Sequence, residues 1–287
     1  MRIRSLNFAT SIDVLPTGAI VEDRGPYVVV RSPSNPTHYW GNFLLYREPP
    51  VVGDRERWEH DFAREVKTGR HLAFGWDITT GELGAARDEF LEAGYELGRE
   101  ATLVATPDGL RAHARASHDV RIRQLDPTPG VDEDGWAAAY AVQLANRDEG
   151  HAEADYAAFL EARTSDRRKR FCAGQGAWFI AEDAASGVAV ASCGVIVTDG
   201  RARFQSVDVV EAARRRGVAS RLVYEAGRAA VEQFGARQLV IVADVDYHAL
   251  ALYESLGFVP CEQSVGVCWW PTAPRAGRHP DRGSGRN

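Results

Sequence analysis

Apolar residues in the second half of the chain recur with two different spacings, which predict strands and helices in alternation. Strands are expected at 120–125, 177–183, 188–197, 201–210, 238–245 and 264–270. Helices are expected at 133–148, 153–171, 218–234 and 247–258. The strand QLVIVADV, 238–245, lacks polar alternation, as is typical of a strand covered on both faces. The order of these elements predicts a mixed α/β sheet.

The first half of the chain repeats part of this pattern. Two of its segments have the patterns of strand, loop and helix, and of strand, turn and helix. If FLEAGY is aligned with YESLGF, Phe90 occupies the position equivalent to Tyr253. Gly53 then precedes Phe90 by 37 residues, much as Gly217 precedes Tyr253 by 36. The spacing indicates a degenerate copy of one unit; a coincidence between two generic strand–helix–strand units is the alternative.

A polar stretch at 106–119, TPDGLRAHARASHD, separates the two halves. It opens with a turn signal and lies between two strand-like runs. We therefore predict a first domain at 1–115 and a second at 116–271. The last residues, 272–287, are rich in proline, glycine and arginine and are expected to form a disordered tail.

The composition is that of a soluble globular protein. The chain has 287 residues, 45% of them apolar, and its formal net charge of −6 argues against a general nucleic-acid binder. Without an apolar run of about 18 residues or a signal-type start, it is expected to be cytoplasmic and to have no membrane partner. The four cysteines show no CxxC spacing, so no structural metal is expected.

The segment EAARRRGVASRL, 211–222, places three arginines and a glycine between a predicted strand and a predicted helix. The first N–H groups of a helix have no partners, and the helix dipole adds about half a positive charge there. Gly217 has no Cβ and would let the backbone approach a ligand. The pattern therefore predicts a phosphate site. A solvated basic helix start and a nucleic-acid contact are the alternatives, and the net charge disfavours the second.

Two segments of the second half are similar to motifs of one family. RRRGVA, 214–219, matches the Q/R-x-x-G-x-G/A pyrophosphate loop of the GNAT superfamily of acyl-CoA-dependent N-acyltransferases. DVDYHALALYESLGF, 244–258, resembles the N-x-x-A-x-x-L-Y-x-x-x-G-F segment of that family. The resemblance implies an α/β fold of two tandem GNAT-like domains, each with a mixed, mostly antiparallel central sheet flanked by helices. The first copy is expected to be degenerate and non-catalytic.

The resemblance also implies an activity. The second domain would transfer the acetyl group of acetyl-CoA to a primary amine of a small molecule or protein, by direct attack through a tetrahedral intermediate. Tyr253 would protonate the departing CoA thiolate, and the N–H of Val209 would stabilise the oxygen charge. The expected acetyl-CoA-binding residues are Val207, Asp208, Val209, Arg214, Arg215, Arg216, Gly217, Val218, Ala219, Ser220 and Asp246.

The general base is the part of this chemistry that the sequence leaves open. Where many members of the family carry Glu or His, this chain has Arg203 and Gln205, and Asp246 replaces the family's asparagine. Asp208, Glu182 and a water molecule are the candidates, and Asp208 is equally well interpreted as a residue bonded within the sheet. A non-catalytic acyl-CoA-binding sensor or scaffold is therefore the alternative function.

The first half lacks the groups that this chemistry needs. Its loop contains Pro49 and Pro50, which have no N–H to offer a phosphate. Glu48 and Asp54 stand where the second half has arginines, and Phe90 has no proton to give. The first half is therefore expected to support or shape the substrate site.

Two groups of residues are candidates for contact with the acceptor amine. His38, Tyr39, Trp40 and Asn42 either line a pocket between the halves or belong to the core. Four acidic residues either attract a cationic amine or form a solvated helix face: Asp148, Glu149, Glu153 and Asp155. The sequence leaves the identity of the acceptor and the oligomeric state open, a homodimer included.

Overall fold

The computed structural model describes residues 2–67, 69–147, 152–246 and 249–271. The strands in these ranges are β1 Ile20–Asp23, β2 Tyr27–Arg31, β3 Phe43–Tyr46, β4 Leu72–Trp76, β5 Glu96–Ala105, β6 Val120–Gln124, β7 Gly176–Asp183, β8 Ala189–Thr198, β9 Arg201–Val209, β10 Gln238–Asp244 and β11 Val259–Trp269. The α-helices there are α1 Leu6–Asp13, α2 Asp54–Glu65, α3 Arg87–Glu92, α4 Glu133–Ala145, α5 Glu153–Cys172, α6 Val218–Glu232 and α7 Ala249–Ser255.

These strands form one sheet in the order β1-β2-β3-β4-β11-β5-β10-β9-β8-β7-β6. β3 is parallel to β4 and β9 is parallel to β10, whereas the other neighbours are antiparallel. The predicted mixed, mostly antiparallel sheet flanked by helices is confirmed. The sequence patterns do not predict α1, β1 or β2, and β11 begins earlier than expected, at Val259.

The two halves of the chain are built from the same unit. In each half a strand leads to a glycine that begins a helix, and the chain returns in a strand parallel to the first: β3, α2 and β4, then β9, α6 and β10. Gly53 and Gly217 occupy the two N-cap positions with φ of 94° and 74°, a left-handed conformation that glycine adopts at little cost. The internal repeat that the sequence predicts is confirmed.

The short helix that follows each unit ends in the same way. α3 and α7 are each followed by a glycine with positive φ. The N–H of Tyr95 then donates to the carbonyl of Phe90 (3.0 Å), and the N–H of Phe258 donates to the carbonyl of Tyr253 (3.1 Å). Phe90 and Tyr253 are therefore equivalent positions, and both side chains are buried.

Each half gives one strand to the other half. β5 lies between β10 and β11, and β11 lies between β4 and β5. Ala101, Leu103 and Ala105 of β5 consequently belong to the apolar core of the second half. Val265 and Val267 of β11 belong to the core of the first half. Each core therefore depends on both halves.

The linker at 106–119, where the domain boundary is predicted, packs along the second half. The N–H of Arg111 donates to the carbonyl of Leu256 (2.9 Å). The N–H of Ser117 donates to the carbonyl of Gly217 (3.1 Å). The linker is therefore fixed beside α6 and α7.

Some of the residues for which the sequence makes predictions lie outside the described part of the chain. The predicted tail at 272–287 lies outside the described residues, as do Asp148 and Glu149. No helix in the described ranges is long and apolar enough to cross a bilayer. The same ranges hold no group of three or more His, Cys, Asp or Glu side chains suited to a metal ion.

Candidate active site

Strands β9 and β10 separate towards their carboxyl ends. Their parallel ladder begins where Gln238 faces Arg201, and within the described residues it ends where Val240 faces Arg203. Beyond this point β9 remains paired with β8, and β10 remains paired with β5. A wedge-shaped gap therefore opens between the two strands, with main-chain groups along both of its sides.

A β-bulge shapes the β9 side of this gap. Gln205 and Asp208 pair with residues only two apart on β8, so two residues of β9 oppose one of β8. Ser206 lies in the bulge with a φ of 46°. Because of the extra residue, Gln205 and Asp208 share one face of β9. Val207 and Val209 pack against the apolar core of the second half.

The loop after β9 leads to the N-terminus of α6 at Gly217. The first N–H groups of this helix, from Val218 onward, have no partners within the helix, and the helix dipole makes this end positive. Arg214 folds back, so that its Nε donates to the carbonyl of Val209 (3.1 Å) and its Nη2 donates to Oδ1 of Asn146 (2.9 Å). The predicted phosphate site thus combines helix amides with an anchored arginine.

The remaining residues of this loop differ in exposure. Arg215 and Arg216 are exposed, and Arg216 makes one long ion pair of 4.0 Å. Val218 and Ser220 are buried, and Ala219 is partly exposed. The structure brings the predicted loop residues together around one helix end, and their role in binding acetyl-CoA stays a prediction.

Gly217 is required by packing as well as by its conformation. A Cβ at this position would collide with the carbonyl oxygen of Arg115, in the linker. The φ of 74° is a further cost for any other residue. From the sequence, this glycine is expected to make room for a ligand; in the structure, the linker occupies that space.

The equivalent turn of the first half is closed to anions. The N–H of Gly53 donates to Oε2 of Glu89 (2.7 Å), and the N–H of Val51 donates to Oδ2 of Asp54 (3.0 Å). Carboxylates of the chain itself therefore occupy donors that a phosphate would need. This arrangement agrees with a first copy that is degenerate.

Tyr253 and Asp246, to which the family resemblance gives roles in catalysis and acetyl-CoA binding, lie in contrasting environments. Tyr253 is 5% exposed, and its ring lies 6.3 Å from that of Phe258 in the core of the second half. The side chain of Asp246 is 83% exposed and makes one ion pair at 3.8 Å. Both roles stay predictions.

A cavity of about 500 Å³ lies between the two halves and reaches the gap. Its walls come from α1, the segment 37–43 and β5 of the first half, and from α5, β11 and the ends of β9 and β10 of the second half. The lining residues that belong to β9 and β10 beyond their ladder are Phe204, Gln205, Ser206, Val242 and Asp244. The cavity and the gap are therefore one continuous site.

Three residues that sequence analysis places either in a pocket or in the core line this cavity: His38, Tyr39 and Trp40. Asn42 is buried instead, where its Oδ1 accepts from the N–H of Ser32 (2.8 Å) and its Nδ2 donates to the carbonyl of His38 (2.9 Å). Burial, with nearby arginine charges, holds the pKa of His38 well below its usual value. The His38 ring is therefore neutral at physiological pH.

Two arginines with partly buried side chains, Arg163 and Arg203, line the cavity, and the buried Arg167 lies behind Arg163. Arg163 and Arg167, one turn apart on α5, each donate to Oε1 of Gln205 (3.0 Å). Arg203 of β9 donates to two neutral side chains of α1 (2.9 and 3.0 Å). Burial lowers the pKa of Arg163 and of Arg203 to about 10, so both remain charged at neutral pH.

Asp208 lies on the same face of β9 as Gln205. Burial raises the pKa of its carboxyl group to about 6, against the opposing influence of Arg167, Arg163 and Arg214. A carboxylate with a raised pKa accepts a proton more readily than an ordinary one. Among the candidates for the general base, Asp208 therefore has the most suitable environment.

Glu182 is a poor candidate for the base. Its carboxylate accepts hydrogen bonds from Nε of Arg121 (3.1 Å) and Nε of Arg123 (2.9 Å), both on β6. Burial raises the pKa of Glu182, but these bonds outweigh it, so the pKa is lowered. Its strand, β7, is also separated from β9 by β8.

Some residues of the site are not indicated by the sequence. Asn7 of α1 joins three strands through side-chain hydrogen bonds of 2.6 to 3.0 Å with Glu100, Arg203 and Ser264. No local pattern of α1 indicates that it meets these strands. The lining residues of α5 follow a helical spacing, which is a usable signal. They are Tyr156, Phe159 and Arg163, together with Asp155, which the sequence already names as a candidate for contact with the acceptor amine.

Comparison with known proteins finds a sequence match for part of the second half and fold matches for nearly the whole chain. Residues 174–260 match the family model described as an acetyltransferase (GNAT) domain. No curated protein matches the chain. A solved structure of a functionally unknown conserved protein from Staphylococcus epidermidis ATCC 12228 is 18% identical, with a TM-score of 0.67 over 90% of this chain and 96% of its own.

Two further solved structures relate the fold to named acetyltransferases. A GCN5-related N-acetyltransferase from Kribbella flavida is 18% identical, with a TM-score of 0.59 over 91% of each chain. A tandem GNAT protein from the clavulanic acid biosynthesis pathway is 15% identical, with a TM-score of 0.52 over 94% of this chain and 89% of its own.

The family match covers part of the second half, whereas the fold matches cover nearly the whole chain. The family model spans β7 to α7, which includes the gap and the N-terminus of α6. The structural similarity extends over the first half, where the same unit is repeated. Residues 174–260 are therefore similar to a GNAT acetyltransferase domain, and the whole chain shares the fold of solved structures that include a tandem GNAT protein.

Proposed function

We propose that the protein is an N-acetyltransferase that transfers the acetyl group of acetyl-CoA to a primary amine. The observation that carries this proposal is the gap between β9 and β10. Residues of both strands line the cavity beyond the end of their ladder, and β9 leads from the gap to the N-terminus of α6. A donor in the gap would have phosphates at one end and an acyl group at the other.

The residues around the gap suit the chemistry of acetyl-CoA. Its pyrophosphate would bind at the N-terminus of α6, where the amides from Val218 onward and the arginines at 214–216 supply positive charge. Its pantetheine arm would hydrogen-bond to main-chain groups of β9 near Val207, because β10 does not pair with β9 there. This arrangement would direct the thioester into the cavity.

The proposed transfer needs a proton acceptor and a proton donor. The amine nitrogen forms a bond to the acetyl carbonyl carbon, and the bond from that carbon to sulfur breaks. Asp208 would take the proton that the amine loses, and Tyr253 would give one to the departing thiolate. The raised pKa of Asp208 supports its assignment, since the carboxylate holds a proton more tightly but is ionised above about pH 6.

Paired substitutions at Ala219 test the donor site. Ala219→Asp adds a negative charge at the helix end, whereas Ala219→Asn adds similar bulk without charge. We expect Ala219→Asp to weaken acetyl-CoA binding roughly tenfold or more in calorimetry, and Ala219→Asn to weaken it far less. Equal affinities of the two folded variants would contradict a phosphate site at this position.

The release of free thiol from acetyl-CoA in the presence of a panel of amines tests the reaction. We expect turnover with at least one amine and slower turnover in Tyr253→Phe, which keeps the buried ring and removes the proton donor. Binding of acetyl-CoA without turnover of any amine would identify a sensor or scaffold instead.

A further inference from the structure

Two arginines of α5 beside the cavity, Arg163 and Arg167, carry positive charges that their hydrogen-bond partners do not neutralise. Arg163 donates to the neutral side chain of Gln205 (3.0 Å), and Arg167 donates to Gln205 (3.0 Å) and Gln143 (3.5 Å). In the described part of the chain these hydrogen-bond partners are all neutral. The acidic group that influences both guanidinium groups at longer range is Asp208.

Arg167 is buried and Arg163 is partly buried. Carboxylates act on them only at longer range, Asp208 on both and Asp166 on Arg167, so their charge is incompletely balanced, which is unfavourable. Burial lowers the pKa of both arginines, which is the direction expected of cations without full compensation. A bound anion would supply the missing charge through charge-assisted hydrogen bonds. Arg163 lines the cavity, whereas Arg167 is buried with its guanidinium 4.5 Å from the ring centre of Trp178. Of these two arginines of α5, Arg163 is therefore the one that a ligand can reach.

The rest of the cavity lining comes from both halves and combines aromatic side chains with polar and acidic ones, among them Glu100, Asp155 and Asp244. Its aromatic residues are Phe8, Tyr39, Trp40, Phe43, Tyr156 and Phe159. The halves meet at Phe159, whose carbonyl accepts from Nδ2 of Asn35 (3.1 Å) and whose ring lies 5.2 Å from that of His38. A cavity of about 500 Å³ enclosed in this way has the size of a small-molecule site.

We propose that the acceptor is a small α-amino acid with an apolar or aromatic side chain, whose carboxylate binds Arg163 and whose amine faces Asp208. This inference rests on the proposed acetyl transfer. Arg163 donates to Gln205 (3.0 Å), and Gln205 shares one face of β9 with Asp208, so a carboxylate on Arg163 and an amine near Asp208 would belong to neighbouring groups of one ligand, as in an α-amino acid. The aromatic wall would hold the side chain.

Matched acceptors with and without a carboxylate test this proposal. L-Phenylalanine is compared with phenethylamine, and L-leucine with 3-methylbutylamine, by thiol release from acetyl-CoA. We expect the amino acids to be preferred, and Arg163→Met to lower the ratio of kcat/KM within each pair by about 10- to 100-fold, mainly through KM. The change in this ratio is decisive, because the intrinsic reactivity of each amine cancels.

A charge-conserving variant at Arg163 and a control variant elsewhere on α5 complete the test. Arg163→Lys keeps the charge and should restore part of the ratio. Arg168→Met is the matched control on α5, because Arg168 pairs with Glu133 outside the cavity, and it should keep the ratio of the wild type. Independently of turnover, N-acetyl-L-phenylalanine should raise the melting temperature of the wild type more than that of Arg163→Met.

These experiments distinguish failure of the amino-acid acceptor from failure of the proposed acetyl transfer. If amines without a carboxylate are used better and Arg163→Met leaves the ratio unchanged, the amino-acid acceptor is refuted and acetyl transfer stands. If no amine releases thiol and acetyl-CoA does not bind, the proposed function is refuted and this inference falls with it.

Discussion

At the scale of single residues, Asp208 gives the site a carboxylate that titrates near physiological pH. Burial raises its pKa to about 6, and arginines oppose this rise. The titratable groups that interact with it are Arg163, Arg167 and Tyr156 of α5, Arg214 of the loop and Cys193 of β8. Above about pH 6 this carboxylate is ionised and can accept a proton; below this pH it is protonated and cannot.

The pH dependence of turnover therefore reports on Asp208. With an amine whose own pKa exceeds 9, we expect log kcat/KM to rise with a slope of about two below pH 6 and about one above it, because two groups and then one must lose a proton. Asp208→Asn should remove the break near pH 6 and lower kcat/KM about 100-fold or more. A break that persists in Asp208→Asn would assign it to another group; Glu161→Gln, an exposed position on α5, is the control.

At the scale of elements, a strand of the second half caps a helix of the first half. Glu262 of β11 accepts at Oε1 from the hydroxyl of Ser5 (2.8 Å) and the N–H of Asn7 (2.7 Å), and at Oε2 from the N–H of Leu6 (3.0 Å). These amides belong to the first turn of α1, where a negative charge is favourable. Because Asn7 also binds Arg203, this cap positions one wall of the cavity.

Removal of this cap should destabilise the protein. We expect Glu262→Ala to lower the free energy of unfolding by about 2–4 kcal/mol, because partly buried donors lose a charged acceptor. Glu232→Ala, which removes a 57% exposed ion-pair partner on α6, should cost less than about 1 kcal/mol. Urea titration of both variants measures the difference, and similar losses would show that the cap contributes little.

The N-terminal turns of α2 and α6 share one backbone geometry but have side chains of opposite charge around them. At α6 the N-terminal amides are placed next to arginines, whereas at α2 the N–H of Gly53 donates to Glu89. A single carboxylate on α3 is enough to fill the position that an anion would take. Because the backbone geometry is the same in both turns, the side chains around each turn determine whether its N–H groups are open to an anion.

At the scale of the whole molecule, the exchange of β5 and β11 makes the two domains one folding unit. The central order β4-β11-β5-β10 alternates strands of the first and second halves. If one half unfolded alone, the other would lose a neighbouring strand and part of its core. The cavity, which both halves enclose, would be lost as well.

Thermal unfolding should therefore show one cooperative transition. We expect calorimetric and van't Hoff enthalpies to agree within error, because neither half is stable without the other. Phe90→Ala in the first half and Leu222→Ala in the second, both fully buried, should each lower the midpoint of this one transition by several degrees. Two separate transitions, with each variant shifting only one, would contradict a shared folding unit.

The sequence by itself determined the elements of the second half, the repeat and the resemblance of residues 174–260 to a GNAT acetyltransferase domain. The strands and helices follow from short-range apolar periodicity, and glycine spacing predicts the repeat because both turns need a left-handed residue. The loop at 214–219 is also visible in the sequence, since a phosphate site at a helix end needs few side chains. These features depend on neighbours along the chain.

The tertiary structure alone decided which strands are neighbours and which side chains meet. The exchange of β5 and β11, the contact of α1 with β9 and the placement of Arg163 beside the cavity join residues far apart in sequence. The sequence leaves Asp208 open between a general base and a residue bonded within the sheet; in the structure, burial raises its pKa although three arginines oppose the rise. Burial and charge compensation depend on distances in space, which local periodicity does not encode.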